Sequence, residues 1–173
     1  MCKPVYALIV VLQVSIAFSV IAQSQDTANE RLSKSIKPSL IAISVANVDE
    51  TAKWYQDNLG FAVKEKKDFP QHSLRIAFLA LNDFEIELVE DQKSVSLGTI
   101  QKHLPEADDE TKIQGFVKLA FTVEDVEALA SRLKRNGVRF QMELNRSNRK
   151  EGMKSFIVRD NNGNWLQFFG KSK

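Results

Sequence analysis

From residue 39 onward the chain switches repeatedly between apolar runs of period two and apolar runs of helical period. Residues 39–45 (SLIAISV) alternate, carry β-branched side chains and stop at a turn, which predicts a strand. Asn47-Val48-Asp49 follows, and in the next segment (ETAKWYQDNLGF) Ala52, Tyr55 and Leu59 share one helical face, with Gly60 as the stop signal. Three more strands are predicted near 62–66, 74–81 and 84–90, the last two joined by a tight turn at Asn82-Asp83.

The same order then restarts. Residues 118–123 (KLAFTV) read as a strand, Glu124-Asp125 as a cap, and 126–136 as a helix with Val126, Leu129, Ala130 and Leu133 on one face, ended by Gly137. Strands follow near 138–144, 153–159 and 164–169. At an offset of 78 residues the two halves match at Ala42/Ala120, Val45/Val123, Val48/Val126, Ala52/Ala130 and Asn58/Asn136. The prediction is an α+β domain over residues 39–170, built from two βαβββ modules, 39–90 and 115–170. A long polar connection, 91–114, contains Pro105 and the acidic run from Glu106 to Glu110. A connection of that length crosses between modules or caps a site.

The N-terminal pattern is different. After Lys3 there is no charge until Asp26, and residues 5–22 (VYALIVVLQVSIAFSVIA) form an apolar stretch closed by Val20-Ile21-Ala22. This is the layout of a secretory signal peptide cleaved after Ala22. The alternative is an uncleaved membrane anchor, since the run is long enough to span a bilayer, although Gln13, Ser15 and Ser19 dilute it. Residues 23–38 are polar and read as a linker. The expected location is therefore exported, periplasmic or secreted, with membrane contact only if residues 5–22 remain attached.

Composition narrows the function classes. Of 173 residues 43% are hydrophobic and 27% charged, in the globular range. Lys plus Arg number 24 against 22 for Asp plus Glu, a net charge of +2 with no dense basic block, which argues against a nucleic-acid partner. Cys2 is the one cysteine and falls within the predicted signal peptide, so neither disulfides nor a cysteine zinc site are expected. The two histidines, His72 and His103, sit among polar residues (PQHS, QKHLPE) and are expected in exposed loops. Asn145-Arg146-Ser147 fits a glycosylation acceptor, relevant only in a eukaryotic secretory pathway.

The doubled βαβββ order, opened by IAISVANVDETAKWYQDNLGF in one half and LAFTVEDVEALASRLKRNGV in the other, resembles the vicinal oxygen chelate superfamily. That superfamily comprises the glyoxalases, bleomycin-resistance proteins and extradiol dioxygenases. The closing DNNGNWLQFF resembles its last turn and strand, with Asn161 where proline is usual. The resemblance implies curved sheets around a cavity. It also implies a divalent metal held by His, Glu, His and Glu at the positions here occupied by Leu40, Glu87, Lys118 and Gln167. Leu40 has no donor atom, Lys118 repels a cation and Gln167 offers a neutral oxygen, so neither a metal nor another cofactor is expected.

Strand alternation then sorts the residues expected to line that cavity. Leu40, Ala42 and Ser44 share a face, as do Glu85 and Glu87, Lys118, Ala120 and Thr122, and Trp165, Gln167 and Phe169. Such a mixed lining suits a small, partly aromatic or amphipathic molecule. Lys118 is expected to stand where the cation stood and to neutralise Glu87, because an unpaired buried charge is costly. A solvated edge lysine and a solvent-facing pair of glutamates are the plainer alternatives for Lys118, Glu85 and Glu87.

Three functions follow. The first is an exported, metal-free protein that binds a small molecule, similar to the antibiotic-sequestering members of the superfamily. The second is an enzyme, a glyoxalase-like lyase or isomerase, either metal-independent with Glu87 or Lys118 moving a proton, or with a metal site rebuilt through His72 or His103. The third is an interaction module whose open sheet face binds a partner or a second copy; a homodimer is compatible with the sequence. The binder ranks first and the metalloenzyme last.

Overall fold

In the computed structural model, Asn47 begins the first helix, α1 (Val48–Leu59), by accepting from the Asp49 and Glu50 backbone N–H groups at 2.9 and 3.0 Å. Gly60 ends the helix in the left-handed region, at φ 79°. The structure describes residues 38–104, 106, 115–147 and 152–171. The expected signal peptide, almost all of the 23–38 linker and most of the acidic run 106–110 lie outside the described residues. Among the described residues no helix is long and apolar enough to cross a membrane.

Module 1 contains β1 (Leu40–Ser44), α1, β2 (Ala62–Phe69), β3 (Leu74–Leu81) and β4 (Phe84–Asp91), in the sheet order β1-β4-β3-β2. Because β1 and β2 occupy opposite edges, α1 must cross the sheet, and it buries Val48, Ala52 and Tyr55 against it. Module 2 repeats the plan with β5 (Lys118–Thr122), β6 (Phe140–Arg146), β7 (Met153–Arg159) and β8 (Trp165–Lys171), ordered β5-β8-β7-β6. Its helix runs Val126–Arg135 and is capped by Asp125, which accepts from Ala128 N at 2.8 Å. Both edge pairings, β1 with β4 and β5 with β8, are parallel. The predicted α+β class and the two modules are thus present.

Two features differ from the sequence expectation. The connection 91–114 is not featureless: it contains α2 (Leu97–His103), started by Ser96, whose hydroxyl accepts from Thr99 N at 3.1 Å. His103 therefore closes a helix, and His72 sits in a 3-10 turn, Pro70–His72, where each was expected in a loop. The helix in module 2 is accordingly α3. The described strands form two separate four-stranded sheets, so the cavity is not enclosed by a continuous barrel.

The modules share one core. Val45, Val48, Tyr55, Leu79, Ile86 and Leu88 from module 1 are contiguous with Val126, Leu133, Phe156, Val158 and Leu166 from module 2. Phe121 links them, edge-on to Phe61 and Phe84 at 6.4 and 5.8 Å and stacked on Phe168 at 5.5 Å. Asn136 Nδ2 donates to Asn58 Oδ1 at 2.9 Å. These asparagines are equivalent in the sequence repeat, so the two modules meet here through matching positions.

Candidate functional site

Strand register puts the candidate residues on one face of each sheet. Leu40 and Ala42 are opposite Glu85 and Glu87, while Lys118, Ala120 and Thr122 are opposite Trp165, Gln167 and Phe169. Leu40, Ala42, Ser44, Lys118, Ala120 and Thr122 are exposed, whereas the alternate residues Ile41, Ile43, Leu119 and Phe121 pack on the core. The central strand of module 2 is drier: Gln167 is 7% and Phe169 8% exposed on the same face.

A cleft of about 880 Å³ lies where the β1 edge of module 1 meets the start of β5 and the 161–164 turn of module 2. Of the candidate residues it takes in Ala42, Ser44, Lys118 and Trp165. Leu40, Glu85, Glu87, Ala120, Gln167 and Phe169 share the sheet face without lining this cleft. Thr122 borders a smaller cleft of about 540 Å³, with Phe61, Phe84, Phe121 and Phe168 as its walls. This second cleft occupies the pseudo-equivalent junction. Module 1 has only Asn82 and Asp83 between β3 and β4, where module 2 has residues 160–164 between β7 and β8.

The longer turn is locked in place. Asp160, 5% exposed, accepts from the Tyr55 hydroxyl at 3.0 Å, from Asn162 N and Asn164 N at 2.9 Å, and from Asn164 Nδ2 at 2.9 Å. Asn161 Nδ2 and Asn162 Nδ2 donate to Thr51 Oγ1 at 3.0 and 2.8 Å, and Ala46 N donates to Asn162 Oδ1 at 2.8 Å. Asn161, the departure from the usual proline, thus supplies a bond across the modules that proline has no side-chain donor to make. Burial, and then the charge of Asp160, push the Tyr55 phenol well above its ordinary value, so the hydroxyl stays a donor.

Among the described residues, two buried polar atoms on the candidate face have no partner: Trp165 Nε1 and Gln167 Oε1. The Gln167 amide reaches only Ser155 Oγ, with Nε2 at 3.5 Å. The expected Glu87–Lys118 neutralisation does not occur: among the described residues no ion pair joins them. Lys118 is exposed and Glu87 only half-buried, so neither charge carries the desolvation penalty that would force them together. The paired carboxylates of module 1 lie elsewhere. Arg75 bridges Asp49, Asp68 and Glu90, and Lys66 and Arg75 hold the Asp49 carboxyl below the usual carboxylate range.

The residues at the four metal positions do not fit a divalent ion. Leu40 supplies no donor, Lys118 brings an ammonium, and a single carboxylate with one amide oxygen remains. Among the described residues no three His, Cys, Asp or Glu side chains gather in an arrangement able to hold one.

Sequence reasoning missed the contribution of the connection. Val95, Leu97, Ile100 and Phe116 flank the cleft beside Trp165, as do Asn161, Asn162 and Asn164. The i, i+3 spacing of Leu97 and Ile100 after a capping Ser96 was the available signal.

The sequence profile of the Glyoxalase/Bleomycin resistance protein/Dioxygenase superfamily matches residues 37–168. The chain is 29% identical over 101 residues to a Cereibacter sphaeroides protein described as ethylmalonyl-CoA/methylmalonyl-CoA epimerase, covering 57% of this chain and 69% of that protein. A glyoxalase family protein from Enterococcus faecalis superposes with a TM-score of 0.62 at 24% identity, over 77% of this chain and 96% of that one. Glyoxalase I from Zea mays gives 0.61 at 21% identity, over 78% of this chain and 45% of the maize chain. At these identities the structural likeness is one of fold.

Proposed function

The chain belongs to the Glyoxalase/Bleomycin resistance protein/Dioxygenase superfamily, and from that premise we propose that it binds a small, partly apolar molecule between its modules without a metal ion. The observation that carries the reading is Trp165 Nε1, a buried donor with no acceptor among the described residues, on a side chain that borders the larger cleft. Buried polar groups are almost always paired, and leaving one unpaired costs about 1–3 kcal/mol. A ligand that supplies the missing acceptor recovers that cost. Ala42 and Ser44, which line the cleft, are small and exposed, which leaves room for it. Export, expected from residues 5–22, is part of the proposal; a recovered protein shorter by the first 22 residues checks it.

The test is a thermal-shift screen of the full chain against a library of small amphipathic and aromatic compounds, beside Ala42→Trp, which fills the cleft. The expected result is a subset of compounds that raise the Tm of the parent protein and not of the variant. If every stabilising compound acts equally on both, or none acts at all, the reading fails. Elemental analysis after exposure to zinc, nickel, manganese and ferrous iron is expected to find no stoichiometric metal.

A second reading, proton transfer at a carbon acid, is favoured by the similarity to a protein described as an epimerase. Glu87, half-buried beside Ala42 and Phe78, is its candidate base. Deuterium uptake from D2O into methylmalonyl-CoA, followed by NMR, tests it. Exchange no faster than in buffer, or unchanged in Glu87→Gln, removes this reading.

A further inference from the structure

Lys118 and Trp165 are register partners across the parallel β5–β8 pair, so their side chains leave the sheet side by side on one face. Both border the larger cleft. Trp165 Nε1 is a buried donor with no acceptor among the described residues. Lys118 is exposed, and no described residue accepts a hydrogen bond from it or pairs with its charge. The Arg159 guanidinium, on the other side of Trp165 in register, lies 5.5 Å from its ring.

The other flank of the cleft is apolar and wet. Val95, Ile100 and Phe116 are 61%, 38% and 95% exposed, and all three line it. Only Leu40 and Leu104 join them as exposed large hydrophobics among the described residues, and Leu104 directly follows α2. Singly scattered exposed apolar residues need no explanation, whereas a group gathered at one cleft marks a surface that is covered in use. The carboxylates bordering the cleft are already engaged. Glu90 Oε2 accepts from Val48 N at 2.7 Å and from Arg75 at 3.2 Å, and Asp91 Oδ1 accepts from Lys93 N at 2.7 Å.

We infer that the cleft takes a molecule with a single carboxylate on an apolar body. The carboxylate sits between Lys118 Nζ and Trp165 Nε1, and the body lies along Val95, Ile100 and Phe116. An acceptor-only group is the chemistry these donors lack, and it completes both at once. A cleft of about 880 Å³ is within the range that buries most of a ligand of ordinary size. The inference rests on the reading that this cleft binds a small molecule, and it names the class.

Calorimetric titration of the full chain with decanoate, decan-1-ol and decylamine, three probes of equal chain and different head, tests it. Decanoate is expected to bind at least tenfold tighter than either of the others. Lys118→Met should remove that preference and leave decan-1-ol unaffected, Lys118→Arg should restore it, and Ile100→Asp should weaken both decanoate and decan-1-ol. Lys118 is exposed, so its variants should fold normally. Decan-1-ol or decylamine binding as tightly as decanoate, with sensitivity to Ile100→Asp, overturns the carboxylate class while the cleft remains a binding site. Binding of no probe, or binding indifferent to both positions, overturns the inference outright, and the library screen with Ala42→Trp then decides separately whether the cleft binds anything.

Discussion

At Gly170 a Cβ would stand 2.7 Å from the Val123 carbonyl oxygen and 2.8 Å from Val126 Cβ, both closer than real side chains approach. The last strand therefore runs tight under the start of α3, and only glycine lets it. Gly170→Ala is expected to destabilise by about 1–3 kcal/mol, the range for overpacking a rigid site, read as a lower urea midpoint. Tyr55 carries a different kind of constraint. Its phenol is pushed above its ordinary pKa of 10.0, so the fold favours the neutral form. That contribution is whole below about pH 10, the value in the unfolded chain, and is lost as the pH rises beyond it toward the raised folded value. Tyr55→Phe should cost about 1.5–3 kcal/mol at neutral pH, as for other hydrogen bonds to a charged group. Its stability should also decline less steeply than the parent's above pH 10. Urea titrations at pH 8 and 10.5 check both expectations, and parallel declines would contradict the second.

Among the elements, the 160–164 turn matters most to the site. It borders the cleft through Asn161, Asn162 and Asn164, and it is held to α1 by Thr51 and Tyr55. Thr51 is fully buried and accepts twice through one oxygen. Thr51→Val keeps the shape and removes that acceptor, and a loss of about 1–3 kcal/mol is expected. Faster amide hydrogen exchange across residues 160–164 should accompany it; unchanged exchange there would mean that Asp160 and the Ala46–Asn162 bond hold the turn without Thr51. The turn sequence DNNGN was readable as a turn, since Asp, Asn and Gly favour one. Its docking on Thr51 was not readable, because the two segments lie 110 residues apart and their contact depends on how the modules pack.

For the whole molecule, the shared core predicts that the modules unfold together. Phe61, Phe84, Phe121 and Phe168 form one aromatic group drawn from both modules. Differential scanning calorimetry should show a single transition for the described domain, with calorimetric and van't Hoff enthalpies equal. Phe121→Ala should lower stability by about 3 kcal/mol, in line with other large-to-small aromatic changes. Two resolved transitions in the parent protein would show the modules to be independent.

The sequence alone determined the order of strands and helices within each module, the duplication and the side of each strand that faces the core. Periods of 2 and 3.6 residues and the residues at turns and caps are local properties. It also determined the chemical misfit of the four metal positions, because Leu40, Glu87, Lys118 and Gln167 differ in type and not in placement. Only the tertiary structure decided that the sheets stay separate, that Lys118 stands beside Trp165 and apart from any pairing with Glu87, and that Val95, Leu97 and Ile100 of the 91–114 connection line the cleft. Those outcomes depend on the angle and distance between modules. These are set by long-range packing and by the length of one turn, which no local pattern encodes.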